Sequence, residues 1–548
     1  MRNKWITVAA CAALLAGGGE AVACTDLLVG KKASTDGSVI ISYAADSHSL
    51  YGELYHWPAA VWPKGAMLDV TEWDTGKPLG RIPQVERTYS VIGNMNEYQV
   101  AITESTWGGR RELMDSTGIL DYGSLIYIAL QRSRTAREAI RVMTSLVEEY
   151  GYCSGGETFS VADKNEVWIM EMTGKGAGRK GAVWVAIRIP DDCISAHANQ
   201  ARIRQIPFED RENCLYAPDV VTVAREKGYF SGEDKDFSFA GAYNPYDFSG
   251  LRGCEARVWS FFRKYDPTID RYADFIKGDP SKEPMPLYIK PDRKLSVQDV
   301  QQAMRDHYEG TDLDMTRDAG AGPYKVPYRW RPMNFTVDGK TYLNERAIAT
   351  QQTGFVIVPQ MRNWLPDEVG GILWFGVDDA DMAVFTPLYS SMLASPECYR
   401  VGNGDMYEFS WTSAFWIHNW VANMAYHKYS FMIEDIRRVQ GELENSYREM
   451  IPAIDRAALE LHGKDPAEAR QFLTWFGATT AQSATARWKK LGEYLLVKYI
   501  DGNVKREEGG QFKRNPYGQP ASPSFPGYDE AYYRSIVAGA GDRLRVKE

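Results

Sequence analysis

The first 46 residues constrain this chain more than any other stretch. Arg2 and Lys4 make a basic start, Trp5 to Leu15 is an eleven-residue, mostly apolar run, and Ala21-Val22-Ala23 puts small residues where a signal peptidase reads. That run is too short to cross a hydrocarbon layer of about 30 Å, which needs roughly 20 residues. The pattern predicts a signal peptide over residues 1–23, a secreted or periplasmic mature chain, and Cys24 as its first residue. No other stretch of 18 apolar residues occurs, so no stable membrane insertion of the mature chain is expected.

Cleavage after Ala23 would leave a free amine and a thiol on one Cα. An α-amine titrates near about 7.7–8.0 and a thiol near about 8.5, so the neutral amine can take the thiol proton around neutral pH. N-terminal-nucleophile hydrolases activate themselves in this way. Two other fates compete: lipidation of Cys24, which would block both groups and leave a tethered binding protein without catalysis, or a cysteine that only packs. Lipoprotein signals usually carry Leu three places before the cysteine, and here that place is Ala21.

Beyond Cys24, Leu27 to Val29 and Val39 to Ile41 flank the turn signal Asp36-Gly37, which predicts a hairpin that brings Asp46 back beside Cys24. From the cysteine onward the chain resembles the dipeptidase family of cysteine N-terminal-nucleophile hydrolases, relatives of secernin. The resemblance rests on Cys24-Thr25, on Val29-Gly30-Lys31 with Ala33-Ser34 and Asp36-Gly37-Ser38, and on Asp46-Ser47. It continues in Ile102-Thr103-Glu104-Ser105-Thr106, Gly156-Glu157, Ala162 to Trp168, Arg188 to Asp192, Ala198 to Ile203, Tyr308 to Thr311, Ala321 to Pro323 and Gln360 to Pro366. These segments are in the family's order and cover roughly residues 24 to 450. One departure stands out: the family's arginine, which lies beside the nucleophile, falls on Tyr43.

The resemblance implies a four-layer αββα sandwich, where composition alone implies α+β. Expected strands are Glu166–Met172 and Ala182–Pro190 around the Gly-rich 174–181 turn, then Phe355–Val358, Gly371–Val377 and Ala383–Thr386. The Gly174-x-Gly176-x-Gly178 spacing is read as an exposed, mobile turn, since no helix signal follows for a phosphate loop. Thr135-x-x-Glu138 opens an expected helix. Met432, Ile436, Val439, Leu443, Tyr447 and Met450 mark another, and helical character continues from Trp488 to Ile500. The expected organisation is a leader over 1–23, a catalytic domain over 24–420, a helical region over 421–508 and an irregular Pro/Gly-rich tail over 509–548.

Amide hydrolysis needs a nucleophile, a base, and donors where the carbonyl oxygen becomes negative. Cys24 and its own amine supply the first two. The resemblance implies Asn199 as the oxyanion donor, and Asp46 is the candidate that orients the amine. Glu104, Thr106 and Glu157 are candidates for substrate contact, since a dipeptide's ammonium calls for a carboxylate. Which arginine would meet the substrate carboxylate is open, and an amidase of the same superfamily acting on acylated amino acids is the alternative activity. His197, two residues before Asn199, would be the partner in a papain-like pair. No metal-ligand spacing and no cofactor motif occur, so neither is expected. With 63 Lys+Arg against 72 Asp+Glu, the net charge of −9 argues against nucleic acid as a partner. Small peptides are the expected ligands, and a homo-oligomer is left open. Seven cysteines are too few for a disulfide scaffold.

Overall fold

The computed structural model describes residues 24–547, so the leader lies outside the described residues. Two eight-stranded antiparallel sheets form the centre of the molecule. The first runs in the order Tyr288–Ile289, Ile194–His197, Asp26–Val29, Val39–Ile41, Thr353–Met361, Gly371–Val377, Thr386–Tyr389, with Tyr43–Asp46 also paired to Thr353–Met361. The second runs Cys214–Tyr216, Ala182–Ile189, Val167–Gly174, Gly156–Ala162, Ala101–Trp107, Met95–Asn96, Val91–Ile92, His56–Trp57. The sheets touch where Asp26–Val29 meets Ala101–Trp107 and Val39–Ile41 meets Gly156–Ala162. The architecture is mixed helix and sheet, as the α+β expectation had it.

Strand alternation separates two cores. Trp168, Met170 and Met172 point to one side and pack with Ala139, Ile140, Met143 and Val147 of the helix Ala136–Tyr150. Val167 and Ile169 point to the other side and join Leu27, Ile40 and Val358 of the first sheet. That helix starts where the capping pattern placed it, with the Thr135 hydroxyl accepting from Glu138 N at 3.2 Å. Ala256–Arg263 packs on Ile194–His197, and two 34-residue helices, Tyr429–His462 and Pro466–Tyr499, pack on each other and on Thr386–Tyr389.

The N-terminal hairpin forms as expected. Leu28 faces Ile41 and Val29 faces Ile40, Gly37 takes φ +86° at the turn, and Ala44 N donates to Thr25 O at 3.0 Å. Two details differ from the sequence reading. The expected strand Ala383–Thr386 begins only at Thr386, because Ala383 O is taken by the Gln440 side chain at 2.7 Å and by Arg305. The Gly-rich turn is pinned: Lys175 is buried against Asp219 at 2.9 Å, and Gly178 N donates to Asp115 at 3.1 Å. In the tail, the prolines end at Pro526, and an exposed helix, Glu530–Ala540, follows behind the N-cap Asp529.

Candidate active site

Cys24 sits at the entry of the Asp26–Val29 strand with no exposed surface. Its thiol lies 3.6 Å from Glu104 Oε1 and 3.8 Å from the Tyr43 hydroxyl, and the Asp46 backbone N–H faces it. Burial raises the thiol pKa well above its ordinary value, and the charges of Glu104 and Asp46 raise it further, against the opposing pull of that N–H. In the uncut chain the Cys24 nitrogen is an amide without charge, so this pocket holds the thiol protonated.

Tyr43, where the resemblance leads to the expectation of an arginine, brings a neutral hydroxyl, which donates to Glu104 Oε1 at 2.5 Å. A guanidinium does reach Cys24, from Arg257, 233 positions along the chain. A π-helical segment, Gly250–Glu255, runs into the helix Ala256–Arg263 and sets its direction. Arg257 is buried, and its five N–H groups go to five neutral oxygens. They donate to Cys24 O at 2.6 Å, Thr25 Oγ1 at 2.8 Å, Gly253 O at 2.8 Å, Asn199 Oδ1 at 2.9 Å and Ala198 O at 3.1 Å. It forms no ion pair among the described residues, and its charge lowers the pKa values of the buried Asp26 and Asp46 carboxyls.

Asp46 and Asn199 converge on the same place. The Asp46 carboxylate is buried, accepts from Thr353 Oγ1 at 2.7 Å and pairs with Arg346. Burial raises its pKa to about 6, with Arg346 and Thr353 holding it down. Asn199 adopts φ +61°, a left-handed conformation that Asn tolerates better than most residues, and its amide donates to Thr106 O at 2.5 Å. One of its two N–H groups thus anchors the end of the Ala101–Trp107 strand while Arg257 holds its oxygen.

Glu104, Thr106 and Glu157 also come together. Thr106 and Glu157 are cross-strand partners, and the threonine hydroxyl donates to Glu157 Oε1 at 2.6 Å. Both carboxyls are buried, and burial raises both pKa values, that of Glu157 well above the carboxylate range because Glu104 lies against it. The pair shares a proton in the manner of two carboxyls too close to ionise together. Tyr43, Tyr122 and Tyr152 surround it, so the wall beside the thiol is acidic and aromatic.

His197 lies between the sheets, where its Nδ1 meets Ser105 Oγ at 2.6 Å and its Nε2 meets Ser160 Oγ at 2.8 Å. Burial, with Arg202 and Arg257 nearby, keeps it neutral. Both nitrogens are taken by serines, so it forms no papain-like pair with Cys24. The six cysteines in the described residues are all free. Among these residues no cluster of His, Cys, Asp or Glu is arranged to hold a metal ion, and no helix is long and apolar enough to cross a membrane.

Sequence reasoning missed Arg257 and Arg346. Neither stands in a segment that carried the resemblance, and a lone arginine in a helix has no local signature.

The buried polar cluster at the junction of the two sheets belongs to a hydrolase of the peptidase class, as comparison with known proteins shows. The chain belongs to peptidase family C69, whose model matches residues 23–55 and 49–442. It is similar to a probable dipeptidase of Latilactobacillus sakei, 27% identical over 475 residues, covering 83% of this chain and 91% of the relative. A probable dipeptidase of Salmonella dublin is 27% identical over 400 residues, covering 70% and 84% of the two chains. Dipeptidase A of Lactobacillus helveticus is 25% identical over 449 residues, covering 78% and 85%.

Proposed function

We propose that this chain is a cysteine dipeptidase of the N-terminal-nucleophile type, exported and activated by removal of residues 1–23. The observation that carries the reading is the Glu104 carboxylate 3.6 Å from the Cys24 thiol. In an extended dipeptide the amino nitrogen lies only about 2.5 Å from the scissile carbonyl carbon, so a carboxylate that binds the ammonium has to stand beside the nucleophile. The relatives' dipeptidase names agree with that placement. An amidase for acylated amino acids would need an apolar wall there, and this wall is Glu104, Glu157 and tyrosines.

In this reading the cut replaces an uncharged amide by an amine next to the thiol. The amine takes the thiol proton, and Arg257 and the ammonium offset the carboxylates that disfavour a thiolate. The sulfur attacks the carbonyl carbon, and Asn199 donates to the oxyanion. The C–N bond breaks as the amine returns the proton to the leaving nitrogen; water, activated by the same amine, then cleaves the thioester. Asp46 orients the amine. Burial at the junction of two antiparallel sheets fits the αββα sandwich, with helices on the outer faces.

The test compares three preparations on an alanyl dipeptide and its N-acetyl derivative: chain starting at Cys24, chain with one extra residue before it, and Cys24→Ala. Only the first should hydrolyse the dipeptide, and acetylation should remove at least about 100-fold of kcat/KM. Full activity with the amine blocked, or a mature N-terminus found acylated by intact mass, overturns the reading.

A further inference from the structure

The dipeptidase reading assigns the substrate's ammonium and leaves its carboxylate without a partner. Arg331 is a half-buried guanidinium that makes no ion pair among the described residues. Its Nη2 donates to Gln352 Oε1 and its Nε faces His48 Nε2 at 3.4 Å. Gln352 in turn donates to Asp46 O at 3.4 Å, so a single side chain links Arg331 to the residue whose N–H faces the thiol.

Charge around this point is unbalanced. Arg257, Arg331 and Arg346 lie within reach of one another, and among the described residues Asp46 is the carboxylate that pairs with Arg346. Arg331 and Arg346 line one narrow cleft of about 300 Å³ including its mouth. The other charged groups of that cleft are neutralised: Arg329 pairs with Asp318 at 2.6 Å and Glu345 with Arg252 at 3.1 Å. A guanidinium withdrawn from water without a counter-ion is costly unless an anion joins it.

Tyr43 touches Glu104, and Asp46 leads through Gln352 to Arg331, so the short strand Tyr43–Asp46 connects the acidic wall to the basic group.

We propose that Arg331, backed by Arg346, binds the α-carboxylate of the substrate, so that the enzyme requires a free C-terminus one residue beyond the cut. This rests on the dipeptidase reading and adds the length selection to it. The experiment uses the mature chain with an alanyl dipeptide, its C-terminal amide and the corresponding tripeptide. The wild type should prefer the dipeptide over its amide by at least about 100-fold in kcat/KM. Arg331→Gln should lower kcat/KM on the dipeptide until the two rates approach one another, and Arg331→Lys should retain part of the preference. A wild type that cleaves dipeptide and amide equally overturns the assignment without any variant. So does a preference that survives Arg331→Gln, or one that disappears instead with Arg111→Gln, the exposed arginine of the neighbouring cleft beside Asn199. If the wild type cleaves none of the three substrates, the dipeptidase reading itself has failed, which is a distinct result.

Discussion

Arg257 concentrates the residue-scale chemistry. A planar fork with five donors meets five neutral acceptors from three parts of the chain, including the main-chain oxygen of Cys24. Lysine has three donors on a single point charge and cannot reproduce that arrangement. Arg257→Lys keeps the charge near the thiol but frees Asn199 Oδ1 and Ala198 O, so Asn199 loses the contact that fixes its plane. The expected result is a fall of about 100-fold in kcat on a dipeptide with KM changed much less, the signature of a lost transition-state interaction. Arg257→Met is the less informative change, because leaving several buried acceptors unpaired would cost stability in addition. A kcat within threefold of wild type for Arg257→Lys, with the urea midpoint unchanged, would remove Arg257 from the machinery.

At the scale of elements, the Ala101–Trp107 strand matters most, since it carries Glu104 and Thr106 and is held at its end by Asn199. Trp107 faces Gly156 across the ladder, and a Cβ at Gly156 would fall 2.0 Å from the Trp107 ring. Gly156→Ala must therefore push a fully buried indole. Overpacking of this kind typically costs about 1–3 kcal/mol, and here the displaced residue sits one position from Thr106. Urea unfolding should show the loss, and KM for a dipeptide should rise at the same time; a destabilised variant with unaltered KM would mean that the strand end does not position the substrate wall. This element also shows what was legible in the sequence. The hairpin from Asp26 to Asp46 and the cap at Thr135 could be read because turn residues and periodicity are local signals. Glu104 and Glu157 could be named as candidates, but their meeting depends on a strand register of Thr106 with Glu157, which lie 51 positions apart in sequence with two α-helices between them. Arg257 and Arg346 were illegible because their role exists only in three dimensions. The Ala383 boundary was misjudged because side chains of Gln440 and Arg305, distant in sequence, take the carbonyl that a ladder would have used.

Across the whole molecule, the interior holds an excess of carboxyls whose folded pKa values are raised by burial. Glu171 and Asp378 are pushed up to about 8, Asp379 to about 7 and Asp46 to about 6, with Asp26 and Glu157 also well above the usual range. Unfolded carboxyls titrate near about 4, so between pH 5 and 8 the folded chain holds protons that the unfolded chain has lost. Stability from these groups is fully present below the unfolded values and is lost as pH rises through the folded ones. His307, raised to about 9 by Glu309 against its burial, acts with the same sign. His56, His197 and His418 are lowered by burial and act oppositely, but only up to the unfolded histidine value near about 6.5. Above that pH the carboxyls and His307 act together and unopposed by these histidines, so the urea midpoint should fall steadily from pH 6.5 to 8.5, by an amount of order a few kcal/mol in unfolding free energy. Asp378 offers the control. It accepts from Asn419 Nδ2 at 3.0 Å and takes φ +66°, a conformation asparagine also tolerates. Asp378→Asn removes one raised carboxyl without changing shape, and should flatten the slope between pH 7 and 8.5. A midpoint that rises over this range in the wild type would mean that these interior carboxyls are ionised and compensated in the folded chain.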